Sequence, residues 1–378
     1  MTSEILIMKN DTIIMGADSA VTIDNKKTHN GADKLFGLSN DPPMAIMIFG
    51  AATFGSISLE SLIKDYKKQT DFKELDNMIK IKESFIEYLN NIQYKISDFD
   101  YKFALFKENL FKKLNFDSKE NIIKYLNNYD DMEILPFLEN NSSLDIEFKD
   151  ISNILGSIDI GTLKKYLSMK LVESSSGIVI AGFNKNEFHP SYTYFDLITK
   201  YENKIIIYDS ESYINSEENL IVPFAQADVT DTFISGINND FIVFLKYYIY
   251  NYNDTYSNEI IKFLIKKGYT DIKTIEKQLE DIKKINEKNA EEFIKVIKNY
   301  KEINGDHVSK GVKDISTDDL VNIAENMIKS TSIKRKLDSD LNSVGGDIDI
   351  IIITRNGLNY ESKTDCNKQK CCQNKEKS

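Results

Sequence analysis

Three cysteines, three histidines and five prolines among 378 residues leave little material for several common designs. The cysteines, Cys366, Cys371 and Cys372, all fall in the last 13 residues. No disulfide can therefore form within the body of the chain, and the fold needs no oxidising compartment. With no histidine beside them, the three thiols fall short of the four ligands of a structural zinc site. No metal and no cofactor are expected. Proline, at 5 of 378, is far below the usual ~5%, which excludes polyproline linkers. A basic excess is also lacking: 48 Lys and Arg against 59 Asp and Glu give a net charge of −11. Nucleic acid and anionic membrane both call for a basic face, so neither is an expected partner. No apolar run approaches the ~20 residues of a membrane span. Nor does the N-terminus carry a basic region followed by the roughly 7–15 apolar residues of a secretory signal. The expectation is a cytoplasmic protein. His29, His189 and His307 sit in no nucleophile context, and G-x-S-x-G, H-E-x-x-H, P-loop and dinucleotide fingerprints do not occur.

What is present is ample apolar material, 41% of the chain against 28% charged, in a length that suits one large domain or two modest ones. Residues 1–50 read as short strands. Ile5–Met8 and Thr12–Met15 flank a Lys9-Asn10-Asp11 turn, Ala20–Ile23 follows, and Lys34–Leu38 precedes Met44–Phe49. Such continuous apolar runs suit strands buried on both faces. A helix is expected to open at Ser56 and run through Ile57, Leu62, Ile63 and Tyr66. From about 72 to 172 Lys, Asn, Ile and Tyr recur at helical spacing, with a cap at Asp117 and Glu120. Strand character returns at Gly177–Gly182, Tyr192–Phe195 and Ile205–Tyr208. A helix from Phe224 to Ser235 is expected next, and a second Lys/Ile/Asn-rich helical block fills about 240–312. Thr317 starts another helix, and Asp349–Thr354 is the last long strand, turning at Asn356-Gly357. This order does not alternate as a βαβ protein does, so an α+β class with an antiparallel sheet core and helices outside fits better. Residues 1–360 are read as one domain and 361–378 as a polar disordered tail.

Chemistry concentrates at the N-terminus. Thr2 follows Met1, and removal of the initiator would leave a threonine with a free α-amine, carrying nucleophile and general base on one residue. That amine has a reference pKa of about 7.7–8.0, so a useful fraction is unprotonated near neutrality. Thr2 to Asp18 spans 16 residues, and Asp18 to Lys34 spans 16 again. In an antiparallel meander that arithmetic brings a strand start, an acidic turn and a lysine to one end of a sheet.

The Thr2, Ala17-Asp18-Ser19 and Lys34 register resembles the proteasome-type β-subunit family of N-terminal-nucleophile hydrolases. The similarity extends through Met44–Gly50-Ala51-Ala52, like that family's strand and oxyanion turn. It returns at Leu320–Ile333, Asp340-Leu341-Asn342-Ser343-Val344-Gly345-Gly346 and Ile348–Thr354. The resemblance implies a four-layer αββα sandwich, here with helical insertions at about 72–172 and 240–312. It implies a threonine-type peptidase: Thr2 as nucleophile, Lys34 lowering the amine pKa, Asp18 orienting Lys34, the Gly50 N–H stabilising the oxyanion, and Asp340 and Ser343 holding the amine and a water. Peptide or unfolded protein would be the substrate and a homo-oligomer the assembly. Two departures stand out. Val344 separates Ser343 from the glycine pair, and Pro223-Phe224-Ala225-Gln226 replaces the family's Gly-Ser-Gly turn, with Gln226 a substitute for its hydroxyl. Two other readings remain: an amidase or acylase of the same fold class, and a non-catalytic assembly or binding subunit.

Overall fold

The computed structural model describes residues 3–362 except 24–26, 31, 56, 93–98, 117–120, 123–124, 127–132, 140, 157, 216–218, 269–271 and 339–344. The chain is a mixed α+β protein built on two five-stranded antiparallel sheets. The first contains β1 (Glu4–Lys9), β2 (Thr12–Asp18), β12 (Leu220–Phe224), β13 (Ile348–Thr354) and β14 (Gly357–Ser362), in the order β12-β1-β2-β13-β14. The second contains β5 (Leu35–Asn40), β6 (Pro43–Gly50), β9 (Ser176–Phe183), β10 (Pro190–Tyr201) and β11 (Lys204–Asn215), in the order β11-β10-β9-β6-β5. Of two short ribbons, β3 (Ala20–Ile23) with β4 (Lys27–Asn30) falls between β2 and β5 in sequence, and β7 (Thr53–Phe54) with β8 (Ile57–Ser58) between β6 and β9.

Period-2 alternation explains why the central strands are apolar throughout. Leu6, Met8, Ile13 and Met15 share one cluster with Ala45, Met47, Val179 and Ala181 of the other sheet. Their neighbours Ile5, Ile7 and Ile14 pack the opposite way, against a helix. That helix, α9 (Thr317–Asp338), buries Leu320, Val321, Ala324, Met327, Ile328 and Thr331, which recur at helical spacing. It starts where the Ser316 hydroxyl accepts the Asp319 N–H at 3.1 Å. On the far side of the second sheet, Met44, Ile46, Ile48, Ile178 and Ile180 meet α1 (Leu59–Gln69) and α2 (Met78–Asn91) through Leu62, Ile63, Ile81 and Phe85.

Beyond α2 the helices α3 (Phe99–Phe116), α4 (Ser142–Leu155) and α5 (Ile160–Glu173) build a separate core, with Phe103, Phe106, Phe148 and Leu167 inside. It is tied to β10, where Lys102 Nζ reaches Ile198 O at 2.7 Å and Asn141 Nδ2 reaches the Tyr201 hydroxyl at 2.6 Å. After β12 come α6 (Asp228–Ser235), α7 (Asn239–Lys266) and the 41-residue α8 (Ile272–Val312), with α7 and α8 packed on each other.

Several expected boundaries move. Phe224 ends a strand rather than opening a helix, because it pairs with Glu4 of β1; the helix begins at Asp228. The cap of α1 is Ser58, whose side chain accepts the Ser61 N–H at 3.3 Å; Ser56 lies outside the described residues. Glu361 and Ser362, assigned to the tail, pair with Ile350 and Asp349 as the end of β14. The Asp117 and Glu120 cap lies outside the described residues, as do 363–378.

Candidate functional site

β1 and β2 are joined by a two-residue turn, and their register sets Glu4 opposite Ala17. Asp18 closes β2 next to the start of β1: its N–H donates to Ser3 O at 3.2 Å, and the Ser3 N–H donates back to Asp18 Oδ1 at 3.0 Å. The same carboxylate oxygen takes Lys34 Nζ at 2.6 Å. Asp18 Oδ2 accepts the Gly345 N–H at 2.8 Å, which fastens the end of the loop before β13. Asp18 thus holds three separate stretches of chain, and Lys34 enters from the second sheet just before β5.

Lys34 has a second acid, Glu4 Oε1 at 3.2 Å. Lys34, Asp18 and Glu4 are each no more than 4% exposed. Charges this deep are retained only when paired and hydrogen-bonded, since removing one partner strands the others in a low-dielectric interior. Glu4 is the participant that inspection of the sequence missed, because it heads an apolar strand and reads as its solvated end. A signal was available: Glu4, Leu6 and Met8 share parity, so the acid points to the same face as residues buried between the sheets.

Gly50 ends β6 with φ of +74°, in the left-handed region that favours glycine. A side chain there would place its Cβ 2.9 Å from Ser175 O, which itself accepts the Ala51 N–H at 3.1 Å. Behind this turn lies Asp196 of β10, opposite Gly177 in register. Burial pushes the Asp196 carboxyl above its ordinary range, and a hydrogen bond with Ser175 pulls the other way. Lys34 and Gly50 line one cavity of about 240 Å³, together with Ile48, Phe49, Ala51 and Ala52. Asp33 and Glu60 stand at its edge, bridged by Lys64 at 3.0 and 2.5 Å. Hydrogen bonds to Glu60 and Asp33 raise the Lys64 pKa.

Immediately after Phe224, the register partner of Glu4, Ala225 and Gln226 carry φ of +40° and +36°. Two successive non-glycine residues in that region mark a strained turn. Gln226 Oε1 is buried with no hydrogen-bond partner among the described residues.

Of the expected site residues, the structure brings Asp18 and Lys34 into contact and places Gly50 on the cavity beside Lys34. Thr2, Asp340 and Ser343 lie outside the described residues, flanked by Ser3 and Gly345, both bonded to Asp18. Among the described residues no cluster of His, Cys, Asp and Glu could hold a metal ion, and no helix is long and apolar enough to cross a membrane. What remains is a buried cation fixed by two acids, next to the N-terminal strand and to a glycine turn opening on a cavity. In comparisons with known proteins, no family model matches the chain and no curated protein is significantly similar to it.

Proposed function

We propose that the chain is an N-terminal-nucleophile amide hydrolase, acting as a threonine-type peptidase through Thr2 after loss of Met1. The observation that carries this reading is the sharing of Asp18 Oδ1 between Lys34 Nζ and the N–H of Ser3, the residue next to Thr2. The order helix, sheet, sheet, helix, read from the packing of α9 and of α1 with α2, supports a four-layer αββα sandwich of that hydrolase class.

In this reading the Thr2 α-amine takes the proton from its own hydroxyl as Oγ attacks the substrate carbonyl carbon. The oxyanion gathers at the Gly50 turn, where a positioned backbone donor is worth about 2.7–4 kcal/mol. The amine hands its proton to the leaving nitrogen as the C–N bond breaks. Water then attacks the resulting ester and restores Thr2. The Lys34 cation favours the unprotonated amine, and Glu4 opposes it with a second negative charge. The amine is therefore expected to be more basic than Lys34 and Asp18 alone would make it. Asp340, Ser343 and Gln226 would hold the amine and the attacking water, Gln226 standing where the family has its Gly-Ser-Gly turn.

Intact-mass measurement of protein made in a bacterial cytoplasm should show Met1 missing. A peptide epoxyketone, which needs both hydroxyl and amine, should label the wild type. Thr2→Ala should abolish labelling, and Thr2→Ser should retain a weaker signal. Glu4→Gln should move the pH dependence of labelling downward. Protein with a proven Thr2 terminus that takes no label between pH 6 and 9 would overturn the catalytic reading in favour of an assembly or binding subunit. Labelling without cleavage of any fluorogenic peptide would favour an amidase or acylase.

A further inference from the structure

The helix α7 carries its aromatic rings on the outside. Phe241, Phe244, Tyr248, Tyr252, Tyr256 and Phe263 are each more than half exposed. At 100° per residue they occupy about a third of the helix circumference. Ile242, just beyond the edge of the stripe, is 7% exposed, Val243 and Tyr247 across the helix are 67% and 68% exposed, and α8 packs against the helix. Within the stripe, Phe244, Tyr248, Tyr252 and Tyr256 stack on one another with centroid spacings of 6.3, 6.1 and 6.1 Å. Isolated exposed rings are ordinary, whereas a continuous stripe along one helix marks an interaction surface.

We infer that this stripe is the contact by which two copies of the chain pair, α7 lying antiparallel on α7 across a two-fold axis at Tyr252. Three observations favour a second copy over other occupants. The stripe is symmetric about Tyr252: Phe241 and Phe263 are equidistant from it in sequence, as are Tyr248 and Tyr256. An antiparallel pair therefore sets Phe241 against Phe263, Tyr248 against Tyr256 and Tyr252 against itself, with Phe244 against Ile260, as an isologous contact allows. The charges agree as well. Asp240 lies in the first turn of α7 and Lys262 and Lys266 near its end, so each copy's lysines fall beside the other's acid and N-terminal dipole. Finally, six rings of roughly 200 Å² each, a little over half exposed, present on the order of 700 Å². That is close to the roughly 800 Å² each partner buries in a standard interface. A nucleic acid or an anionic lipid surface fits poorly with a net charge of −11. The contact uses no residue of the Lys34 site and does not depend on the proposed hydrolase activity.

Sedimentation of the full chain at micromolar concentration tests the pairing. The expected particle is twice 43.4 kDa, or a larger assembly built from such pairs. Tyr248→Glu with Tyr252→Glu should raise the dissociation constant of the pair at least about a hundredfold, with the circular-dichroism spectrum unchanged. In a background with all three tail cysteines changed to serine, Tyr252→Cys should be joined to its counterpart by a short bis-maleimide. Tyr101→Cys, on α3 and 65% exposed, should not be joined. A monomeric wild type, an assembly indifferent to the double glutamate variant, or equal crosslinking at both positions would each overturn the inference. So would a monomer that floats with phosphatidylcholine vesicles, which would assign the stripe to lipid.

Discussion

The Lys34 cluster and the α7 stripe invert the usual distribution of side chains in opposite ways. One buries a cation and two acids between sheets of isoleucine and methionine; the other leaves six rings in water. In the cluster, each charge has its partner within the same chain, so the arrangement is closed. In the stripe, four rings stack in a row and Phe263 meets Lys267 Nζ at 5.7 Å, and the face stays open. A buried charge with all its partners points to a site built inside the fold. An exposed apolar row points to something outside it. The α3–α5 block sharpens the contrast: of similar Lys, Ile and aromatic composition to α7 and α8, it turns Phe99, Phe103, Phe106 and Phe148 inward to 4% exposure or less.

The largest effect should come from opening the closed cluster. Lys34→Met leaves Glu4 and Asp18 facing each other without a cation and should cost about 3–5 kcal/mol in urea denaturation. Adding Glu4→Gln should recover part of that loss, because the two changes act on one network. Next comes the pair of ring deletions. Phe148→Ala should destabilise by about 3–5 kcal/mol, through lost burial and a cavity. Phe244→Ala should stay within about 0.5 kcal/mol in a dilute monomer, since its ring gains little from folding. Equal losses at Phe148 and Phe244 would erase the distinction between the two helical blocks. Gly50→Ala ranks third: the added Cβ meets Ser175 O at 2.9 Å in a left-handed backbone, for about 1–3 kcal/mol and loss of epoxyketone labelling.

The smallest effect belongs to Asp196, a half-buried acid with no ion pair among the described residues. Its folded pKa lies above the ordinary 3.8, so the native state binds that proton more tightly than the unfolded chain. Its contribution is favourable below 3.8 and is lost as the pH rises through the folded pKa. Asp196→Asn should therefore raise Tm by at most a few degrees at pH 7 and give no gain at pH 3, measured by calorimetry. A lower Tm at pH 7 would mean that the hydrogen bond with Ser175 outweighs burial.

Much of the sheet core was legible because its strands are covered on both sides. Ile5–Met8, Thr12–Met15, Met44–Phe49 and Gly177–Gly182 have no polar face to confuse with a helix, and all are strands. The helix at Thr317 was legible for the complementary reason, an apolar face at helical spacing. The end of β12 was not. Phe224-Ala225-Gln226 has no breaker, and only pairing of Phe224 with Glu4 and the two left-handed residues separate strand from helix there.

By itself the sequence determined the buried strands of the two sheets, through their unbroken apolar runs, and placed Asp18 and Lys34 at a spacing that a meander can close. A polar turn expected through His29, Asn30 and Gly31 is instead, at Lys27–Asn30, a strand paired with β3. Composition could not decide which way a ring faces. The α3–α5 block and the α7–α8 pair read alike, because helical periodicity fixes a face and not what lies against it. Tertiary structure supplied β10 and a shared core for the first, whereas α7, packed on α8 and bonded to α6 through Asn239, keeps its rings exposed. It also decided that Glu4 joins Lys34. Local propensity would leave that acid in water, but β1 sits between β12 and β2, and its parity turns Glu4 into the space between the sheets.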